Sequence, residues 1–471
     1  MKGSRFVLFI TTFIVLCWGS QSFSLQEKTH EAINQFIAQN TVNGFSLDTY
    51  LKNNLGFKAG RNDFLNGIDA EGNSKNKQIF WWLGYGGEQE DRPGSYTDYI
   101  LNKPTRSVNH FHNPRKPWDQ AGLNDTFLLK TFTGQSQVLW AQNLNQNPGG
   151  KWSWQNAREY FYIALTGKDF SGTQVATNQA DREKYFANTF RAVGQLMHLV
   201  EDASVPEHVR NDIHVLPAYE AYVEKMRPAL WSSWMNNPIT FDKSILDIPL
   251  TDPSTSVPIA RIIDTDLYTG SNPDITKTLY NSPQPIGISE YANANFLSPD
   301  TMFTDDLDPN DRHYFPYPRA AGASLWTDTT NNRQYLKKPG DGDPVNHLAA
   351  KSWLYFYRVV YFPQVNSKLP VVLDDICKKD YASLLIPRAV GYSAGLLNYF
   401  FRGTLEITPP AQVAYAFTDG SQTPYVDNYG NSHQQFTSIK AKVRNSTPDT
   451  IPGEEVQNCN QLQENCILHA V

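Results

Sequence analysis

The sequence predicts a mainly α-helical fold with an irregular insertion and a small C-terminal β segment. Across most of residues 26–235, apolar side chains recur at spacings of three and four, which is typical of amphipathic helices. Residues 236–345 are rich in Pro, Asp, Asn, Thr and Ser and show little periodicity, which indicates a wrapping, irregular insertion. After Pro409 and Pro410 the pattern changes to short alternating stretches, which predict strands.

The individual helices are predicted from caps and apolar stripes. Thr29 can cap a helix that runs to Gln39, because threonine is a favourable N-cap residue. One long helix is predicted between Asn178 and Val205 by an apolar stripe that consists of Phe186, Phe190, Val193, Met197 and Val200. Further helices are expected at Gln155–Thr166, from Pro217 to Met226, at Val345–Tyr361 and at Tyr381–Arg402. Strands are expected at Gln412–Phe417 and Thr437–Val443.

The N-terminus has the composition of a signal peptide. Lys2 and Arg5 form a basic region, and Phe6–Trp18 is an apolar stretch too short to cross a bilayer comfortably. Small residues favour cleavage before Leu25, with cleavage after Ser22 as an alternative. We therefore expect a secreted or periplasmic protein without a transmembrane anchor.

These segments define the expected domain organisation. Residues 1–24 are the signal peptide, and residues 25–405 form the helical domain, which contains the insertion at 236–345. Residues 406–471 form a short β-rich C-terminal segment, which could be an incomplete unit. The cysteines that remain after cleavage are odd in number, so they cannot all pair within the chain: Cys377, Cys459 and Cys466.

Composition narrows the classes of function. The chain has 471 residues, 13% aromatic and 19% charged side chains, and a formal charge of -6, which together indicate a globular protein. This mild acidity argues against a protein that binds duplex DNA, which would need a basic face, so we expect no duplex DNA binding. Short nucleotides at a metal centre are not excluded, because bound metal ions supply positive charge. No Cys-x-x-Cys motif occurs, so a zinc site would use His, Asp and Glu.

The strongest motif lies near the end of the long predicted helix. His198 and Asp202 are four residues apart and therefore share one helix face. Pro206 breaks the helix, so that His208 in the following turn can fold back towards them. Two imidazoles and a carboxylate suit zinc. Because further histidines lie in other polar clusters, we expect a site with more than one metal ion.

Other candidate ligands are spread along the first half of the chain. In Asn109-His-Phe-His-Asn-Pro114 we expect only one of the two histidines, His110 or His112, to be a ligand. An acidic loop, Gly86–Asp91, precedes this motif, and Asp98 is a rival to Asp91. The remaining candidates are His30, His214 and Glu220.

Taken in order, these residues resemble the zinc-dependent phospholipase C and S1/P1 nuclease superfamily. That family has a histidine close to the mature N-terminus, an aspartate ahead of a His-Phe motif, and His-x3-Asp-x5-His on a helix. His198, Asp202 and His208 keep the last spacing without gaps. The His-Phe motif points to His110 rather than His112. The resemblance covers roughly Leu25–Phe401.

The resemblance implies three zinc ions in a mainly helical cleft. The first zinc would be bound by Asp91, His110, His198 and Asp202. The second would be bound by His208, His214 and Glu220. The third would be bound by Asp202, His30 and the backbone amine and carbonyl of Leu25. The chain departs from the family in two ways: no tryptophan lies near the cleavage site, and His214 and Glu220 are six rather than four residues apart.

The resemblance also implies a function. Zinc-activated water would hydrolyse phosphoric ester bonds, with Asp91 as the catalytic group that accepts the proton of the attacking water. A phospholipid and a single-stranded nucleic acid or nucleotide are rival substrates, and the sequence does not decide between them. The alternative is a secreted binding or structural protein whose metal ions only stabilise the fold. The oligomeric state stays open.

Overall fold

The structure is a computed structural model that describes residues 27–93, 105–127, 130–213, 219–248, 259–266, 286–299, 324–338, 344–352 and 371–403, with short stretches between 405 and 445. Helices form its centre, but antiparallel strands occur along much of the chain. The fold is therefore mixed α and β, and the prediction of a mainly α fold is wrong. The strands were underestimated because several are short polar hairpins without a clear apolar period.

Helices in the first half of the chain form most of the core. They are α1 (Glu27–Gln39), α2 (Leu47–Asn54), α3 (Ile79–Gln89), α4 (Gln137–Trp140), α5 (Trp154–Thr166), α6 (Gln179–Asp202), α7 (Pro206–Val209) and α8 (Tyr219–Met235). Later helices are α9 (Ala260–Ile263), α10 (Ile288–Asn295) and α11 (Asp375–Phe400). Single 3₁₀ turns occur at Gly60–Asn62, Ser107–Asn109 and Lys243–Asp247. The buried side chains of α1, α3, α6 and α11 belong to one continuous apolar cluster.

The long helix α6 begins and ends close to the predicted positions. The Asn178 side chain accepts a hydrogen bond from the Asp181 N–H and caps its first turn. From Phe190 to its end, α6 is buried on all sides, so it is the central helix of the domain. At α1 the helix starts at Glu27, and Thr29 is a buried helical residue rather than its cap.

Glycines allow α3 and α6 to cross at very short distance. A Cβ atom added at Gly194 of α6 would lie 2.1 Å from the carbonyl oxygen of Leu83. A Cβ added at Gly86 of α3 would lie 2.1 Å from the carbonyl oxygen of Arg191. Backbone therefore packs on backbone at this crossing, and only glycine fits at the two contact points. The crossing places the end of α3 beside the last turns of α6.

The described strands lie between the helices of the first half of the chain and after them. Two hairpins, β1 (Phe64–Ile68) with β2 (Ser74–Gln78) and β3 (Asn124–Phe127) with β4 (Lys130–Thr133), lie between the early helices. A four-stranded antiparallel sheet has the order β5 (Ser324–Asp328), β6 (Arg333–Lys338), β7 (Val345–Lys351), β8 (Val371–Val372). The expected helix from Val345 to Tyr361 is therefore wrong over its first seven residues, and residues 353–361 lie outside the described part. The described parts of 236–345 also contain regular elements.

Short strands occupy the C-terminal segment as expected. They pair as nested hairpins: β9 (Leu405–Thr408) with β14 (Lys442–Asn445), β10 (Ala416–Phe417) with β13 (Ser438–Ile439), and β11 (Tyr425–Val426) with β12 (Ser432–His433). Cys377 is a buried free thiol, whereas Cys459 and Cys466 lie outside the described residues. None of the helices in the described part is long and apolar enough to span a bilayer.

Candidate metal centre

Helix ends bring seven of the candidate side chains together in the interior. His198 and Asp202 come from the last two turns of α6, and His30 comes from the first turns of α1. Asp91 follows the end of α3, and His110 follows the 3₁₀ turn Ser107–Asn109. His208 lies in α7, which begins with Pro206, and Glu220 lies at the start of α8. All seven residues are buried.

Asp202 lies at the centre of this group. Its Oδ2 atom is 2.9 Å from His110 Nδ1, 3.0 Å from His198 Nε2 and 3.7 Å from His208 Nδ1. Its Oδ1 atom is 3.2 Å from His30 Nε2. Four imidazoles thus surround one carboxylate, which is the position expected of a ligand shared between ions.

Several of these buried atoms are not hydrogen-bonded. Within the described part of the chain, neither carboxylate oxygen of Asp202 accepts a hydrogen bond, and Nε2 of His30 and Nε2 of His110 also lack a partner. The short contacts around Asp202 therefore lack hydrogen-bond geometry. Buried polar atoms are normally paired, because leaving one unpaired costs about 1–3 kcal/mol. The unpaired atoms fit a bound cation towards which nitrogen and carboxylate lone pairs converge.

The candidate side chains form three overlapping groups that could hold a metal ion. In each group the potential ligand atoms lie within 4.8 Å of one another. The groups are His30, His198 and Asp202; Asp91, His110 and His198; and Asp202, His208 and Glu220. Asp202 belongs to two groups and so does His198, so the groups are contiguous.

Hydrogen bonds fix the orientation of two of the histidines. His198 Nδ1 lies 2.6 Å from the carbonyl oxygen of Gly87, and a carbonyl can only accept, so Nδ1 carries the proton. His30 Nδ1 lies 2.6 Å from Glu201 Oε2. Both rings therefore direct Nε2 towards Asp202. Metal-binding histidines commonly have this arrangement, with the second nitrogen hydrogen-bonded to a carbonyl or a carboxylate.

Glu90 is paired mainly with an arginine, although its Oε1 also lies 3.7 Å from Nε2 of His110. Arg106 is fully buried, and its Nη2 donates to both carboxylate oxygens of Glu90, at 2.8 and 2.7 Å. Trp140 Nε1 donates to Glu90 as well. Burial alone would raise the pKa of Glu90, but Arg106, His110 and Trp140 together outweigh burial and lower it to about 2. This leaves Asp91 as the carboxylate of the acidic loop that joins the centre.

The carboxylates and histidines of the centre shift one another's pKa values. Burial lowers the pKa of His30, but the carboxylates of Asp202 and Glu201 outweigh this effect and raise it to about 10. Burial raises the pKa of Asp202, but the charges of His198 and His208 hold it well below its usual range. The site therefore attracts protons to its histidines. A divalent cation can replace those protons, because metal binding and proton release are coupled.

His112 lies in a separate buried cluster. Its Nδ1 is 2.7 Å from Ser136 Oγ and its Nε2 is 2.8 Å from Asp264 Oδ2. Trp118 Nε1 donates to the same carboxylate oxygen at 2.8 Å. The structure thus places His110 in the centre and His112 outside it, with both ring nitrogens of His112 already engaged.

Other sequence candidates have different outcomes. Leu25, Asp98 and His214 lie outside the described residues. Glu220 joins His208 in the third group despite its unusual spacing from His214. Sequence reasoning missed Glu201, which precedes Asp202 directly. The signal available was a second acidic residue three positions after His198, on the same helix face.

In comparisons with known proteins, no family model, no curated protein and no solved structure matches the chain. The geometry of the centre and the order of its residues along the sequence therefore carry the functional argument.

Proposed function

We propose that the protein is an exported zinc-dependent hydrolase of phosphoric ester bonds, similar to the zinc-dependent phospholipase C and S1/P1 nuclease superfamily. The observation that carries this proposal is Asp202, a buried carboxylate without a hydrogen-bond donor that four histidines surround. A centre built from imidazole and carboxylate ligands suits zinc. The three overlapping groups support a multinuclear centre, and we propose three zinc ions.

The proposal assigns the ligands as follows. One ion would be held by Asp91, His110, His198 and Asp202, a second by His208, Glu220 and His214, and a third by His30, Asp202 and the backbone of Leu25. The three groups support this division in part: Asp91 groups with His110 and His198, and His208 groups with Glu220. In these groups Asp202 lies with His208 and Glu220 rather than with Asp91, and His198 also lies with His30. His214 and Leu25 come from the sequence resemblance alone.

The residues of the centre would serve the reaction through placement and proton transfer. When bound, zinc would polarise the phosphoryl group and lower the pKa of a water molecule towards roughly 7. Asp91 retains 5% exposure, whereas Asp202 is fully buried, so Asp91 is the carboxylate nearer to solvent. We propose that Asp91 accepts the proton of the attacking water, while Asp202 would hold the ions as their shared ligand.

The first test quantifies the metal and then the turnover. Elemental analysis of the mature protein should give two to three zinc ions per chain. The same preparation is then assayed with phosphatidylcholine, single-stranded DNA and RNA, and we expect hydrolysis of at least one. A zinc content near zero after refolding with zinc would contradict the proposal.

The second candidate function is a metal-stabilised binding or structural protein. The observation that favours it is the complete burial of His30, His110, His198 and His208, because structural zinc sites are closed. Zinc-loaded protein that hydrolyses none of the three substrates, and that unfolds when zinc is chelated, would support this candidate instead.

The proposed N-terminal ligand has a test of its own. A free amine at Leu25 can bind zinc only when it is deprotonated, which coordination promotes. A short tag placed before Leu25 should therefore reduce the zinc content by about one ion and reduce turnover. Full metal content and turnover in the tagged protein would remove Leu25 from the ligand set, and would leave the buried groups in place.

A further inference from the structure

The ring of His30 is contacted by three side chains from the last turns of α6. The ring of His198 stacks on it, with centroids 3.6 Å apart and planes inclined by 22°. Glu201 Oε2 contacts its Nδ1 at 2.6 Å, and Asp202 Oδ1 lies 3.2 Å from its Nε2. Because residues three and four apart lie on one helix face, His198, Glu201 and Asp202 act together on this ring.

We propose that Glu201 is a positioning residue of the metal centre: it keeps the Nδ1 proton of His30 in place, so that Nε2 is presented to a cation beside Asp202. The proposal rests on the metal centre proposed above. It assigns a role to a residue that is not itself a ligand, since Glu201 belongs to none of the three groups.

The geometry of the imidazole separates the two roles. Its two nitrogens point in opposite directions, so the carboxylate that contacts Nδ1 stands on the far side of the ring from Asp202. A carboxylate at that position accepts the hydrogen bond that Nδ1–H donates. This bond selects the tautomer protonated at Nδ1 and increases the basicity of Nε2. Both Glu201 and His30 are fully buried, which strengthens this interaction because water does not screen it.

Within the described part of the chain, the side chain of Glu201 has no hydrogen-bond partner other than His30. The end of α6 is closed through the backbone carbonyl of Glu201, which accepts bonds from the Ser204 N–H and the Ser204 hydroxyl. A change in the Glu201 side chain leaves these bonds intact. Its effect on metal binding can therefore be separated from its effect on the helix.

Two substitutions at Glu201 and one matched control test the proposal. Glu201→Gln keeps an oxygen that can accept the Nδ1 bond and removes the charge, whereas Glu201→Leu removes both. The control is Glu290→Gln, another fully buried glutamate, whose hydrogen-bond partners are Thr265 and Gly287. Zinc affinities are measured by competition with a coloured chelator, and the cobalt-substituted proteins by visible absorption.

We expect one of the bound zinc ions to bind about 10- to 100-fold more weakly in Glu201→Gln, and at least as weakly in Glu201→Leu. The remaining ions keep their affinity, and the cobalt spectrum changes in one component. Glu290→Gln should bind all ions with affinities within twofold of the wild type. The metal-free Glu201→Gln protein should still unfold cooperatively, and added zinc should raise its denaturant midpoint by less than it raises that of the wild type, which a purely structural role would not produce.

Three results would overturn the proposal. Unchanged affinities in both Glu201 variants reject it and leave the zinc centre itself standing. An equal loss in Glu290→Gln rejects it as well, because the effect would then belong to any buried glutamate. Wild-type protein that binds no zinc rejects both this proposal and the proposed function. If Glu201→Leu does not fold, the nearly isosteric Glu201→Gln decides the question.

Discussion

Two buried histidine–aspartate clusters lie side by side in this protein, and they contrast in their hydrogen bonding. In the first, Asp202 has four histidines around it and accepts no hydrogen bond from the described residues. In the second, Asp264 accepts bonds from Trp118 and from the backbone of Asp266, and contacts His112. His110 of the first cluster and His112 of the second are only two positions apart in the sequence.

The contrast shows how a candidate metal centre differs from a structural polar cluster. A cluster that folding alone stabilises needs donors for its acceptors, as the Ser136–His112–Asp264 chain has. A cluster that binds a cation keeps lone pairs directed at a common point. Both clusters place histidine against a buried aspartate, but Asp264 has donors such as Trp118, whereas Asp202 has only histidines around it.

The largest effect is expected when the aspartate of the first cluster is replaced by asparagine, and the same replacement in the second cluster is its control. Asp202→Asn should lose more than one zinc ion and more than about 100-fold in turnover, because removing a shared ligand costs more than the 10- to 100-fold typical of an outer partner. Asp264→Asn is the control and should keep its zinc. Metal analysis and initial rates check both. Equal metal loss in the two variants would show that the clusters do not differ as described.

A second comparison uses the two histidines of one motif. His110→Ala should lose zinc and turnover, because His110 belongs to one of the three groups. His112→Ala should keep zinc but lower the free energy of unfolding by about 1–3 kcal/mol, since Asp264 and Ser136 lose their buried partner. Denaturant unfolding and metal analysis measure the two effects. Similar zinc loss in both variants would mean that the wrong histidine was assigned to the centre.

A third prediction concerns the helix crossing that orients His198. Gly194→Ala places a methyl group against the Leu83 carbonyl and should destabilise the protein by about 1–3 kcal/mol. The shift of α3 should also weaken zinc binding, because the Gly87 carbonyl fixes the His198 ring. Gly403→Ala, with open space around its Cβ, should change stability by less than about 0.5 kcal/mol. A fully stable Gly194→Ala variant would contradict the close crossing.

The smallest expected effect is a pH dependence beside the second cluster. Burial, followed by the charge of Asp264, raises the pKa of Glu290 well above 4.5. A raised carboxyl pKa favours the protonated folded state, so this contribution to stability is present below about pH 4.3 and is lost as pH rises through the folded-state pKa. Glu290→Gln should remove that loss, so its stability relative to wild type should increase with pH. Denaturant midpoints across the pH range would show a flat difference if Glu290 were unperturbed.

Part of the fold could be predicted from local sequence signals. The helix that became α6 was recognisable from its apolar stripe, and the structure adds a cap at Asn178. The segment Val345–Lys351 was predicted as a helix but forms a strand. A short, largely apolar run has the same appearance in either state, and pairing with a neighbouring strand decides between them.

The candidate site divides in the same way. His198, Asp202 and His208 could be found because their spacing is local and reflects one helix turn and a proline break. The role of Glu201 could not be found, since it depends on contact with His30, which is 171 residues away in sequence. The choice of His110 over His112 rested on resemblance, and the partners of His112 at Ser136 and Asp264 are both distant.

Sequence separation sets the entropic cost of bringing the side chains of the candidate centre together. Asp202, His208 and Glu220 are separated by fewer than about 20 residues, whereas Glu201 and His30 close a loop of 171 residues. Loop-closure entropy grows as (3/2)RT ln n, so the long loop costs about 2 kcal/mol more than the short one. The contact of α1 with α6 at His30 therefore carries the larger entropic cost, which the packing of these two helices has to offset.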